Sequence, residues 1–503
     1  MPSKIAIAAS LALCTGLVSS CAPTGEANST LAYAQDRARC EAASALGSLG
    51  ATAKASWVEA DGGLPAFCEV TAVLSPERGS EIGVVYRLPV GWNGKMLGLG
   101  GGGWAGNITL DAAKPGLTAG YATAQTDGGH ASTTPFENPW VVDPVKAKDF
   151  SWRAIHEMTV AGKALVAAYY GKGLDRSYFH GCSTGGRMAL MEAQRFPNDY
   201  DAIISQAPVY TLQVQTSAVL RNNLFAQPGA ALGAEGAKLV SDAVLKSCDA
   251  KDGVADGVIA DPRACHWNPQ ELLCKPGATG GCLTQPQVNA LQVAYDGVRA
   301  ADGTFAQLPL SKGGEAGWAA FVAINGDRKE FSNGGGTGGL VPVLWPGKQV
   351  DLNSLTPAQV VEGRASAFAK MYEAGDPNLA PFFARGGKLL MWHGESDPGP
   401  SPVGTIDYVE AVKRTDPAGA ANGLQMFLAP GVGHCAGGPG ADQVDVLGAL
   451  DSWVSGGKAP ETLVAKKADG AMVRPLCAWP KVAHYAGSGD VNDPKNYRCV
   501  ARD

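Results

Sequence analysis

The sequence predicts an α/β fold built on a parallel sheet, and three observations point there. Ser177-Tyr178-Phe179-His180 is strand-like, Met188-Ala189-Leu190-Met191-Glu192-Ala193 reads as a helix, and Gly181-Cys182-Ser183-Thr184-Gly185 turns the corner between them. Two later strand-like runs, Leu389-Leu390-Met391-Trp392 and Leu424-Gln425-Met426-Phe427-Leu428, each enter a polar loop, the first carrying acids and the second a histidine. An open α/β sheet places its chemistry there, at the carboxyl ends of its strands. Third, 503 residues exceed one simple core, so an insertion or second domain is expected.

In chain order the N-terminus comes first. Lys4 precedes the apolar run Ile5 to Val18, too short to cross a bilayer but of signal-peptide length. The run ends in Leu17-Val18-Ser19-Ser20-Cys21, similar to a bacterial lipobox, where cleavage leaves the cysteine lipidated. The expectation is a signal peptide over 1–21, a lipid anchor on Cys21 and an exported protein, periplasmic or anchored at the outer membrane. An ordinary signal peptide cut before Cys40 would instead make it secreted. No other segment is apolar and long enough for a membrane span. Hydrophobic residues at 45% with 17% charged describe a globular chain, and a net charge of -6 with few basic runs gives no support to nucleic-acid binding.

Next, Lys95-Met96-Leu97-Gly98-Leu99 reads as a strand running into Gly100-Gly101-Gly102-Gly103-Trp104. A glycine run lets amide N–H groups turn toward a developing oxyanion, and the expected donors are the amides of Gly101 and of Thr184, which follows the serine. Gly181-x-Ser183-x-Gly185 on its strand-to-helix corner has the context of a nucleophile elbow, so Ser183 is the candidate nucleophile. It needs a base, and the base an acid that orients it. The order nucleophile, acid, base makes Asp397 the chosen acid, with Glu395 as alternative, and His434 the base. His180 and His393, on the strands before these loops, read as packed histidines. His130, after Asp127-Gly128-Gly129, suits a turn or the cleft wall equally.

Of twelve cysteines, Cys14 and Cys21 belong to the presumed leader, and an even remainder in an exported chain predicts disulfides. Spacing alone does not settle the pairing. Cys248 with Cys265, Cys274 with Cys282, and Cys477 with Cys499 could each close a short loop, with Cys40 and Cys68 near the N-terminus. That leaves Cys182, beside Ser183, and Cys435, beside His434. A Cys182–Cys435 bridge would fasten the nucleophile loop to the base loop and restrict the unfolded chain by roughly 5 kcal/mol as an upper figure. No histidine and cysteine spacing reads as zinc.

Gly-Cys-Ser-Thr-Gly-Gly-Arg at 181–187, Asp397, Gly-His-Cys at 433–435, the glycine loop at 100–103 and Thr126-Asp127-Gly128-Gly129-His130 together resemble the tannase and feruloyl esterase family. The paired Cys-Ser and His-Cys motifs carry the resemblance, which extends over nearly the whole mature chain and supports the disulfide pairs above. It implies an α/β-hydrolase fold: a hydrolase domain begun by 22–208, a lid over 209–375 inserted between nucleophile and acid, and the domain completed by 376–503. It also implies a Ser-His-Asp esterase needing no organic cofactor.

The lid carries Asp249, Asp252, Asp256 and Asp261 among Asp-Gly steps, a pattern that suits either a hard cation or aspartates capping their own turns. The resemblance implies a structural calcium ion there, with Asp249, Asp252 and Asp256 and the carbonyls of Val254 and Val258 as ligands. Trp318, Phe321, Phe331, Trp345, Phe368 and Tyr372 supply aromatic rings for gripping a planar acyl group, most of them expected in the core.

For substrate, the resemblance implies carboxylic esters of phenolic acids, feruloyl or galloyl. The alternative is mono(2-hydroxyethyl) terephthalate-type monoesters. Members acting on those carry an acid where this chain has Thr184 and a lid arginine for the free carboxylate. Here 331–340 has no arginine, and Arg328 lies only upstream. A non-catalytic phenolic-binding lipoprotein is the competing class.

Overall fold

The computed structural model describes residues 24–43, 49, 52–106, 108–132, 134–278, 280–328 and 335–502. The expected leader and Cys21 lie outside the described residues. Among those described, no helix is long and apolar enough to cross a membrane.

One nine-stranded sheet organises the molecule. After helix α1 (Thr24–Ala43), strands β1 (Lys54–Val58), β2 (Phe67–Leu74) and β3 (Ile82–Pro89) pair antiparallel. Strand β4 (Lys95–Leu99), helix α2 (Leu110–Thr118) and strand β5 (Ala122–Thr126) follow. Then come the short α3 (Pro144–Lys148), α4 (Ala154–Tyr170), β6 (Arg176–Cys182), α5 (Thr184–Arg195) and β7 (Ala202–Gln206). β10 (Lys388–Gly394) and β11 (Leu424–Ala429) complete the sheet in the order β1-β2-β3-β5-β4-β6-β7-β10-β11, with every neighbour from β5 to β11 parallel. The α/β prediction therefore holds.

Parallel strands joined by helical crossovers are covered on both faces, and their sequences show it. Leu389 and Met391 of β10 belong to one core with Phe179 and Met426, whereas Leu390 and Trp392 join Tyr178 and Phe427 on the other side. The two-residue period of a strand sends alternate side chains into separate cores.

Between β7 and β10 the chain leaves the sheet. The interval holds α6 (Gln213–Phe225), α7 (Gly233–Cys248), α8 (Gln285–Asp296), a small hairpin of β8 (Val298–Arg299) and β9 (Phe305–Gln307), and several short helices. It has its own core, in which Phe225, Val240, Leu291, Trp318 and Val322 are nearly or fully buried. Cys248–Cys265 and Cys274–Cys282 staple its irregular stretch, while Cys40–Cys68 and Cys477–Cys499 tie the chain near its two ends. With Cys182–Cys435, five bridges are present among the described residues, the usage of an oxidising compartment, as expected of an exported chain.

Arg187, the last residue of the Gly-Gly-Arg motif, is fully buried in the seam between the parts. Its guanidinium donates to Ser151 O at 2.7 Å, Phe150 O at 3.0 Å and Tyr372 O at 3.0 Å, and sits 4.1 Å above the Tyr372 ring. The rigid fork of an arginine can satisfy several carbonyls and stack at once. It joins the helix behind Ser183 to the turn before α4 and to the end of the inserted segment.

Candidate active site

Ser183 occupies the corner between β6 and α5 with φ 62 and ψ −121, a conformation that side-chain-bearing residues rarely adopt. The corner needs room as well. A Cβ on Gly181 would lie 2.4 Å from the Gly185 carbonyl carbon, and one on Gly100 would lie 2.4 Å from Gly185 Cα, so glycine alone fits these crossings. The glycine run after β4 thus passes backbone against backbone beside the serine.

His434, on the loop after β11, meets Ser183 Oγ through Nε2 at 2.9 Å and Asp397 Oδ2 through Nδ1 at 2.7 Å. Two strands deliver these groups to the same end of the sheet as Ser183, although 251 residues of chain separate the serine from the histidine. Cys182 and Cys435 are bonded, with Cα atoms 6.0 Å apart, so a covalent bridge runs parallel to the Ser183–His434 hydrogen bond. Cys435 has φ 64, and its carbonyl accepts from Gln206 Nε2 at 2.7 Å, so the histidine loop is held at both its bridge and its backbone.

The two candidate acids part company. Asp397 is fully buried, accepts from Gly399 N at 2.8 Å, and receives His393 Nε2 at 3.2 Å besides His434. Burial raises its pKa, but the two histidines outweigh that and hold it down at about 2. Glu395 points elsewhere: Arg263 grips it bidentately at 2.7 and 2.9 Å, and Arg502 approaches to 3.1 Å. A carboxylate two residues along a loop leaves on a different side, and the arginines claim it.

Two residues that carry no motif support this acid loop. His393 is packed as expected, its Nδ1 on Thr405 Oγ1 at 2.8 Å and its Nε2 also on Pro400 O at 3.1 Å. Arg221 of α6, fully buried, donates to Pro398 O, Gly399 O and Leu308 O at 3.1, 2.9 and 3.0 Å. Sequence reading missed Arg221 because a lone arginine in a helix gives no signal of the loop it will meet. His130 turns out to brace the glycine loop, its Nε2 2.7 Å from Trp104 O, and its ring packs on Trp140. His180 is packed and hydrogen-bonded as expected, its partner being Gln206, although it also borders the open cleft.

Two cavities share Ser183 and His434. One is an open cleft of about 630 Å³ along Gly100–Gly103, His180, Gln206 and Cys435. The other is more enclosed and narrower, about 70 Å³, and runs under the inserted segment past Trp104, Val209, Val214, Phe321 and Pro400. Phe321 borders both and meets the His434 ring edge-on at 4.9 Å. Of the other expected aromatics, Trp318, Trp345, Phe368 and Tyr372 are core, and Phe331 lies outside the described residues. Gly101 lines the cleft and Thr184 the enclosed pocket, one on each side of the serine.

The profile of the tannase and feruloyl esterase family matches residues 68–500. The chain belongs to this family. It is 31% identical to a mono(2-hydroxyethyl) terephthalate hydrolase of Piscinibacter sakaiensis, over 87% of this chain and 85% of that one. It is 32% identical to a probable feruloyl esterase of Arthroderma benhamiae, covering 86% of each. The crystal structure of feruloyl esterase B from Aspergillus oryzae superposes with a TM-score of 0.82 at 26% identity, covering 92% of this chain and all of that one. This tannase-family protein is a carboxylic ester hydrolase with the α/β-hydrolase fold.

Away from Ser183, the aspartate-rich loop has its carboxylates on its own backbone. Asp249 accepts from Asp256 N at 3.1 Å and Gly257 N at 2.9 Å, Asp252 from Val254 N at 3.1 Å, and Asp256 from Val258 N at 3.2 Å and from Arg474 Nε at 3.1 Å. Among the described residues, no group of three or more His, Cys, Asp or Glu is arranged to hold a metal ion. The donor set nonetheless has the chemistry a hard cation requires. Burial, and then the charges of Asp256 and Asp249, push Asp252 up to about 6. A divalent ion there would relieve this crowding of like charge.

Proposed function

We propose that the protein is a serine esterase acting on carboxylic esters of phenolic acids, with feruloyl or galloyl esters as substrates. The hydrogen-bonded chain Ser183–His434–Asp397 carries the reading. Ser183 Oγ attacks the ester carbonyl as His434 Nε2 takes its proton, and Asp397 holds the imidazole and balances the imidazolium. The amides of Gly101 and Thr184 meet the oxyanion. His434 then protonates the leaving alcohol, and water releases the acid from the acyl-enzyme by the same steps. The bridge between Cys182 and Cys435 supports the reading, since misplacing reacting groups by about 1 Å can cost on the order of 100-fold in rate.

The segment 209–375 serves as the lid, holding the acyl ring in the enclosed pocket while the alcohol leaves through the open cleft. Terephthalate monoesters are the second reading, supported by the Piscinibacter relative. Against them, Arg328 lies where its charge acts on Asp351, and among the described residues no lysine or arginine lines the enclosed pocket. Purified mature protein should turn over methyl ferulate or methyl gallate with a higher kcat/KM than mono(2-hydroxyethyl) terephthalate. The reverse order would move the substrate class to the monoester. A protein that turns over none of them and leaves Ser183 unlabelled by a fluorophosphonate would be a phenolic-binding lipoprotein.

Calcium is proposed in a structural role, on Asp249, Asp252 and Asp256 with the carbonyls of Val254 and Val258, remote from the serine. Binding would draw the carboxylates from their backbone partners onto the ion. Added Ca²⁺ at 100 times its Kd should stabilise by about 2.7 kcal/mol, read as a rise in Tm that EDTA reverses. An Asp252→Asn variant whose Tm still rises equally with Ca²⁺ would remove this site. Export with lipidation at Cys21 is likewise proposed. Mass spectrometry of the mature N-terminus decides it, an unmodified terminus excluding the anchor.

A further inference from the structure

The enclosed pocket beside Ser183 is lined largely by carbon, and one polar side chain in it carries a buried oxygen with no partner among the described residues. Helix α6 presents Val214, Gln215 and Ala218 to the pocket, a spacing that places them on one side of the helix. Gln215 is 7% exposed, and its Oε1 is buried with no hydrogen-bond partner among the described residues. Its neighbour Gln213 does find one, donating to Phe305 O, and Gln206 donates to Cys435 O. Native proteins pair nearly all such buried oxygens, and one left open beside a reaction centre marks where a bound molecule completes the set.

We infer that Gln215 selects for a hydroxyl on the aromatic ring of the acyl group, its Oε1 accepting the phenolic O–H. This rests on the phenolic-ester reading and assigns its specificity to a residue. A carboxamide oxygen complements a neutral hydroxyl donor. A ring carboxylate would instead bring a full negative charge into a pocket whose lining, among the described residues, holds no lysine or arginine to balance it. Gln215 is thus a specificity residue: it touches the substrate but neither the scissile bond nor the triad.

Methyl caffeate and methyl cinnamate differ only in the two ring hydroxyls and make the test. In the wild type kcat/KM should favour the caffeate on the order of tenfold, the worth of one buried hydrogen bond. In Gln215→Leu the ratio should fall to near unity, with the change carried by KM and kcat of the hydroxylated ester. Gln215→Met supplies the same readout if the leucine variant does not fold, since its unbranched chain matches glutamine in length. A ratio that persists in either folded variant, or a wild type indifferent to the hydroxyls, overturns the inference while leaving the esterase intact. Fluorophosphonate labelling of Ser183 without turnover of either ester overturns the phenolic reading and this inference together.

Discussion

Ser183→Ala is expected to lower kcat on methyl ferulate by about 10⁴- to 10⁶-fold, the range that removal of an activated nucleophile produces. KM should change little, because alanine leaves both cavities and their linings in place. The remaining rate, still above that of water, would come from the amides aimed at the oxyanion and from bound geometry. Alanine also keeps the backbone at φ 62 no less easily than serine, so Tm should hold. Stopped-flow or plate assays of the purified variant beside the wild type check this. Undiminished hydrolysis would take the chemistry away from the 2.9 Å contact between Ser183 and His434.

The second large effect separates two acids only two residues apart. Asp397→Asn should lower kcat by about 10⁴-fold, because an amide at this place donates to His434 Nδ1 and leaves the proton on Nε2, where it blocks Ser183. His393 sharpens the expectation. Its Nε2 faces two acceptors, Asp397 Oδ2 and Pro400 O, so it carries a proton and donates. Both histidines meet the same oxygen, Oδ2, while Gly399 N donates to Oδ1, so an asparagine must set its nitrogen against either Gly399 N or the two histidines and cannot satisfy all three as the carboxylate does.

Glu395→Gln should leave kcat within a few-fold and appear in stability instead. It weakens a fully buried carboxylate held by Arg263 and Arg502, at a cost of about 2–3 kcal/mol once the partial exposure of Arg263 is allowed for. Interchanged phenotypes, with Glu395→Gln inactive and Asp397→Asn merely less stable, would reverse the assignment. The pH profile adds a further check. With Asp397 held at about 2, a carboxyl whose pKa is lowered on folding stabilises the fold above about pH 4 and loses that contribution only as pH falls toward 2. Asp397 therefore stays ionised through ordinary assay pH, and kcat/KM should show no acid limb from it above about pH 4.

Much of the site was legible because its chemistry demands particular residues at particular corners. A serine between glycines after a strand, an acid after a later strand and a histidine after the last mark themselves as candidates for one site. Cys182 and Cys435 added a long-range contact readable in one dimension, since each stands beside a residue the mechanism needs. The choice between Asp397 and Glu395 was less legible, because both follow the same strand and both are carboxylates. Arg187, Arg221 and His393 were not legible as supports. Their partners are carbonyls and side chains from distant segments, and a carbonyl has no residue type by which a sequence announces it.

By itself the sequence determined the sheet, the elbow, the order of the catalytic candidates and the supply of cysteines, all of which follow from local periodicity, turn chemistry and residue type. Tertiary structure alone decided which carboxylate reaches His434, that Phe321 overhangs the histidine while Trp318 fills a core, and that Gln215 lines the pocket beside Ser183 with an unpaired oxygen. Burial and direction of a side chain depend on segments hundreds of residues away. Packing brings those segments together through contacts that no local pattern encodes.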